Sequence, residues 1–279
     1  MHGDIQSAAR SFKGEVQKMK DIVRTHVVSL LNKDARLDGR KLDEYRKFTI
    51  EYGISSKSAE GSARVKMGDT EVVGGVKFLV GPTYPDTPDK GTIVANVELL
   101  PLSSPVFETG PPSIQSIEYA RAIVDRGLRE SDALDMRKLC IKRGEKMWTV
   151  MIDVYSINDA GNLADAIGLV AIAALKDAKF PKYDAEKDII NYEERTKKGL
   201  ELKYLPIPIT IVKIGSKFII DPTVEEENAA ETRLTVTTIE DGRACAIQKG
   251  GEGTLTPEDI DKMIQLSIEK GKELRKLFK

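Results

Sequence analysis

Cysteine and histidine are nearly absent from the 279-residue chain, at two residues each. Cys140 and Cys245 each lie in an apolar stretch rather than in a CxxC pair, which predicts buried thiols rather than a disulfide framework or a thiolate zinc site. His2 and His26 alone are too few for imidazole-based metal chemistry. Charge of one sign is missing as well: 43 Lys and Arg stand against 44 Asp and Glu, a formal charge of −1. No global field draws the protein toward nucleic acid, so binding of any polyanion must come from a local patch. No apolar run approaches the roughly 18 residues of a membrane span, and the first residues lack the apolar segment of a secretory signal. The expectation is a cytoplasmic protein with no membrane partner. GxxxxGK[ST], HExxH and GxSxG are absent too, which leaves P-loop hydrolysis, zinc proteolysis and serine esterase chemistry without support.

What is present is an ordinary globular mixture, 41% apolar and 31% charged. Ile5, Ala8, Phe12, Val16, Met19, Val23, Val27 and Leu30 recur at helical spacing, predicting one long amphipathic helix with His26 near its apolar stripe as a packing residue. Leu37-Asp-Gly-Arg40 is a turn signal. Residues 60–78 read as strand, Gly-Asp turn and strand; 92–99 is a further strand, reached through a proline-rich loop over 81–91. Residues 113–131 have a helical period through Ile114, Ile117, Ala120, Val124 and Leu128. Strands near 138–143 and 147–157 and a buried, alanine-rich helix over 162–175 follow. About half of residues 176–203 are charged and the apolar period fails, which suggests a domain boundary. Beyond it come a strand–turn–strand over 207–220, strands at 233–239 and 243–248, and a helix capped by Thr256 with Pro257 first. Hairpin, strands and helix thus occur twice, which suggests a duplicated α+β fold.

Three features invite chemistry. Gly250-Gly251-Glu252-Gly253 precedes the last helix and reads either as a phosphate loop or as a flexible connection. Asp221-Pro-Thr-Val-Glu-Glu-Glu227, with Glu231 beyond, offers carboxylates that can hold Mg²⁺, or simply a solvated run. Arg121, Arg126 and Arg129 lie on the 113–131 helix. At 100° per residue Arg126 and Arg129 are about 60° apart and Arg121 and Arg126 about 140°, so the first two suit one phosphate-facing patch. No aromatic residues interleave with them, so such a patch would read backbone rather than bases.

Glu60-Gly-Ser-Ala-Arg-Val65, Ile117 through Arg129, Asp159 through Ile167, and Asp221 through Thr235 occur in the order in which the RNase PH family carries them. The chain resembles that family over nearly its whole length, and within it the non-catalytic RNase-PH-type subunits of the archaeal exosome; the strand with Trp148 and the Asp241-Gly-Arg243 turn also fit. The resemblance implies a duplicated βαβα fold behind a helical extension over 1–36: a first half over 37–176, a charged linker over 177–203 and a C-terminal half over 204–279. It also implies phosphorolysis of RNA from the 3′ end, in which active members hold the attacking phosphate with a Gly-Gly-(Thr/Ser)-Arg turn. Here that turn is Ala160-Gly161-Asn162-Leu163, without the arginine. Active members also place an aspartate where this chain has Arg233, and the earlier aspartate of that pair aligns with Glu227.

The implied role is therefore a non-catalytic, RNA-binding ring subunit. It would alternate with a catalytic partner in a hetero-hexameric ring, carry RNA-binding cap proteins and contact single-stranded RNA through Arg121, Arg126 and Arg129, Arg121 with a one-residue offset. It would need no cofactor of its own, phosphate and Mg²⁺ belonging to the partner's active site. Arg233 is expected to pair with Glu227 or Glu231. The alternative is a self-sufficient phosphorolytic exoribonuclease built on the acidic cluster over 221–231.

Overall fold

The computed structural model describes residues 21–278. The expected helix is seen over 21–31 (α1), where Val27 and Leu31 pack with Val212, Ile214 and Ile219. Ile5, Ala8, Phe12, Val16 and Met19 lie outside the described residues. His26 is exposed rather than packed.

The first sheet comprises β1 (Phe48–Tyr52), β2 (Gly61–Met67), β3 (Thr70–Gly81), β4 (Thr92–Glu98), β5 (Cys140–Lys142) and β6 (Lys146–Asn158). Its order is β1-β2-β3-β6-β4, with β5 paired to β6 and only β4 parallel to its neighbour. The β4-to-β6 crossover carries α2 (Ile114–Arg121). The second sheet is antiparallel, β10 (Lys217–Ile220), β9 (Ile207–Ile214), β11 (Thr232–Thr238) and β12 (Ala244–Gly250), with α4 (Val224–Ala229) between its two hairpins and α5 (Pro257–Arg275) after them. Each half is thus strands, helix, strands, helix, the duplication expected from element order. Thr256 and Asp259 cap α5 reciprocally, with Pro257 where its missing N–H costs nothing.

The helix α3 (Leu163–Asp177) joins the halves, packing against β2 and β3 on one side and β9 on the other. Being enclosed, it needs apolar residues all round, and nearly every residue from Leu163 to Leu175 is buried. Small residues let it lie close: a Cβ on Gly61 would stand 2.4 Å from the Ala174 carbonyl oxygen.

Residues 177–203 are not a bare linker. β7 (Lys179–Asp184) and β8 (Ile189–Gly199) form an antiparallel hairpin whose turn is held by Asp184 Oδ1, which accepts the Glu186 and Lys187 N–H groups. Its charges face solvent, as in the Lys182–Glu194 pair, and it is anchored on the first sheet by Phe180, which stacks on Phe78 with ring centroids 4.4 Å apart and meets Trp148 at 5.5 Å. Arg195 donates to the Ala59 carbonyl at 2.6 Å and the Tyr192 hydroxyl to that of Phe78 at 3.2 Å. Charge content concealed the hairpin because two strands with one face in water need few apolar residues. Cys140 and Cys245 are free thiols and half-buried, not fully enclosed.

Candidate functional site

The Ser113 hydroxyl caps α2 by accepting the Ser116 N–H. Over Ala122–Arg129 the helix continues with π-type bonding, as in the i→i+5 bonds from Glu130 to Asp125 and from Ala133 to Leu128. A π turn accommodates one extra residue within a helix. It also changes which residues are neighbours, because i→i+5 bonding brings positions five apart onto one side. Arg121 and Arg126 accordingly both pair with Glu118, at 3.0 and 3.2 Å. Arg129 instead pairs with Asp125 at 2.7 Å. The α-helical expectation that Arg126 and Arg129 share a patch is therefore corrected. The three arginines face three recesses: Arg126 a cavity of about 50 Å³ between this helix, α3 and the second sheet, Arg129 a cleft of about 540 Å³ beside Tyr84 and Lys90, and Arg121 a groove of about 340 Å³ against β4. Val124 and Leu128 are buried as the period requires, whereas Ile114 and Ile117 remain exposed.

The second cluster lies where the halves meet at the start of α3. Asp221, fully buried with φ of 49°, accepts from the Arg46 backbone N–H, Nε and Nη2 at 2.8, 2.9 and 2.6 Å, from Arg40 Nη1 at 2.8 Å and from Asn162 Nδ2 at 3.2 Å. Arg46 also donates to the carbonyls of Ala160 and Gly161, at 2.7 and 3.0 Å. Arg36 holds Glu226 through two bonds of 2.8 and 2.6 Å, both side chains being buried. Asp221 and Glu226 are thus not solvated charges, whereas Glu225 and Glu227 are exposed. Thr223 and Glu226 form a capping box that starts α4, and this turns Glu227 toward α3. There Glu227 Oε1 accepts the Asn162 N–H at 2.9 Å. Asn162 itself stands in the left-handed region at the N-cap of α3.

Two carboxyls here depart far from ordinary values. Glu227 is exposed at the rim of the cleft beside Asp159 and Arg46, yet protein crowded around its carboxyl raises it to about 7, with Asp159 adding to the rise and the Asn162 N–H, Arg233 and Arg46 opposing it. Burial likewise takes Asp165 to about 7, against the bonds it accepts from the Thr210 N–H at 2.8 Å and Asn162 Nδ2 at 3.0 Å. Burial also raises Tyr119 to about 12, with the Glu227 charge reinforcing it.

These carboxylates do not suit Mg²⁺. Asp221 is saturated by two guanidiniums and an amide, Glu226 by Arg36 and its own cap, and Glu227 faces a backbone N–H; among the described residues no group of three His, Cys, Asp or Glu is arranged to hold a metal ion. The Arg233 side chain makes no hydrogen bond or ion pair among the described residues, while Glu231 accepts the Gly215 N–H, so the expected pairing of Arg233 with Glu227 or Glu231 does not form. Gly251 and Gly253 pack against the Glu231 backbone, with the Gly253 N–H on its carbonyl at 2.8 Å, as a structural loop. Arg36, Arg40 and Arg46 escaped notice in the sequence, where only the turn at 37–40 stood out. The useful signal was three arginines in a turn-rich segment opposite a buried acidic run, with Thr223 and Glu226 at capping-box spacing.

Residues 44–181 match the family model described as 3′ exoribonuclease family, domain 1, and residues 204–270 match domain 2. This chain belongs to the 3′ exoribonuclease family. The exosome complex component Rrp42 of Methanocella arvoryzae is 48% identical to it, covering 91% of this chain and 95% of that protein. The namesake from Archaeoglobus fulgidus is 46% identical over 93% of this chain and 96% of that protein. Among solved structures, a chain of the Archaeoglobus fulgidus exosome with RNA bound to the active site superposes with a TM-score of 0.86 at 45% identity, covering 94% of this chain and 99% of that one. A chain of an archaeal exosome core gives 0.82 at 42% identity, with 93% and 97% covered. The duplicated RNase PH-like fold of this family member is therefore established. No helix among the described residues is long and apolar enough to cross a membrane.

Proposed function

We propose that this 3′ exoribonuclease family member is a non-catalytic structural and RNA-binding subunit of an archaeal exosome ring. In this reading it alternates in the cytoplasm with a catalytic RNase-PH-type partner, supports that partner's active site and carries RNA-binding cap proteins. The observation that carries the reading is Glu227. In active members the start of the helix equivalent to α3 holds the attacking phosphate; here a carboxylate of this chain accepts the Asn162 N–H at 2.9 Å. A helix N-terminus presents its free N–H groups to one acceptor, and a side chain already seated there leaves that place unavailable to phosphate. The neighbouring Arg233 stays protonated and serves neither as general acid nor as base. Phosphate and Mg²⁺ then act at the partner's site, and Arg121, Arg126 and Arg129 guide single-stranded RNA by phosphate contacts.

The alternative, self-sufficient phosphorolysis on the 221–231 cluster, has against it the arginine network that occupies Asp221 and Glu226. Release of nucleoside diphosphates from single-stranded RNA, with phosphate and Mg²⁺, separates the two. The chain alone is expected to be silent and the chain reconstituted with a catalytic partner active. Turnover by the chain alone, persisting after removal of contaminating nuclease, overturns the proposal.

A further inference from the structure

The Arg233 side chain extends from β11 on the side opposite buried Leu234 and has no hydrogen bond or ion pair among the described residues. It rests against the neighbouring strand instead. Its cross-strand neighbour on β12 is Gly250, and a Cβ there would come within 2.6 Å of Arg233 Nε and 3.1 Å of Cζ. The guanidinium therefore lies across bare backbone, a berth that any side chain at 250 would fill. From that berth it lines the cavity that Arg126 also faces, beside Tyr119 and Gln248, with Ile167 and Pro208 among the apolar walls.

The charge balance at this cavity leaves room for an anion. Arg126 is shared between Glu118 at 3.2 Å and the Gln248 side-chain oxygen at 2.7 Å. Glu227, the nearby carboxylate that feels Arg233, is directed to the Asn162 N–H instead. Two guanidiniums thus face the cavity against the single Glu118 carboxylate. A guanidinium presents paired donors that match two phosphate oxygens, and apolar walls strengthen the attraction relative to open solvent.

We infer that Arg233, berthed on Gly250 and assisted by Arg126, is a binding point for a phosphodiester of single-stranded RNA on this chain. The inference rests on the RNA-binding reading above and adds to it a contact on the second sheet, away from the helix arginines' own element.

The test is equilibrium binding of a fluorescein-labelled single-stranded oligoribonucleotide to the assembled ring across a salt series, with Arg233→Gln, Arg233→Lys and Gly250→Ala. Arg233→Gln is expected to weaken binding about tenfold and to reduce the log–log salt slope by about 0.7. Arg233→Lys should keep the slope and lose part of the affinity. Gly250→Ala should lose affinity although the charge is retained, because the berth is gone. Thermal melting confirms that each variant is folded. Unchanged affinity and slope in Arg233→Gln, with Arg126→Glu still weakening binding, overturns this inference and leaves the RNA-binding reading intact; no change in either variant overturns both. If inorganic phosphate raises the melting temperature of the wild type but not of Arg233→Gln, while RNA affinity is equal in the two, the site takes free phosphate and the RNA assignment is wrong.

Discussion

Arg36 and Glu226 illustrate how charge is used at the junction of the halves. Both are buried, and Arg36 additionally donates to the carbonyls of Ile220 and Asp221 at 3.0 and 2.8 Å, so the pair ties the segment after α1 to the start of α4. Removing one partner strands the other charge, and Glu226→Ala is expected to cost about 3–5 kcal/mol, read from denaturant midpoints. A loss below 1 kcal/mol would mean that water reaches Arg36. Glu227 and Asp165 act in the opposite sense. Their folded values of about 7 lie above those of free carboxyls, so between roughly pH 4 and 7 the native state binds more protons than the unfolded chain. Stability from these groups is full below the unfolded values and is lost as pH rises through about 7. Glu227→Gln still accepts the Asn162 N–H but cannot ionise, so its melting temperature should fall less between pH 5 and pH 8 than that of the wild type. Identical slopes in the two proteins would show that Glu227 does not titrate in this range.

At the scale of elements, the regular parts were legible because one local signal decided each: alternation and a Gly-Asp turn for β2–β3, Thr256 and Pro257 for α5, an all-apolar stretch for enclosed α3. What escaped reading was decided by tertiary contact. The π turn over Ala122–Arg129 cannot be told from α-helix by an apolar period over two turns, yet it moves Arg126 beside Arg121 and away from Arg129. The β7–β8 hairpin shows no period because it is pinned at few points, chiefly Phe180. The site was half legible: Asn162, Glu227 and Arg233 stood out, but Arg40 and Arg46, which hold the adjoining Asp221, lie more than a hundred residues away from it in sequence. The hairpin's dependence on one anchor is checkable, since Trp148 is the chain's single tryptophan and sits against Phe180. Phe180→Ala should destabilise by about 3–5 kcal/mol and shift the Trp148 emission to the red. Wild-type emission and stability would show that the hairpin is held by its backbone and Arg195 instead.

For the whole molecule, a net charge of −1 means that RNA is captured by placement and not by field. In the proposed reading, three arginines on one helix that face three recesses offer separate footholds along a strand instead of one patch. This has a consequence for combined variants. Arg126 and Arg129 share no partner, whereas Arg121 and Arg126 share Glu118. Free-energy losses in RNA binding should therefore add in the double variant Arg126→Glu/Arg129→Glu. They should fail to add in Arg121→Glu/Arg126→Glu, where each replacement changes the environment of the other through Glu118. Each single reversal should weaken binding by the assembled ring and lower the log–log salt slope by about 0.7 or more. Anisotropy titrations at several salt concentrations measure both quantities. Unchanged binding and slope in the singles would remove the arginines from the RNA path. Strong coupling between Arg126 and Arg129 would mean that the helix rewinds to α geometry when RNA is bound, bringing back the shared face that the sequence alone suggests.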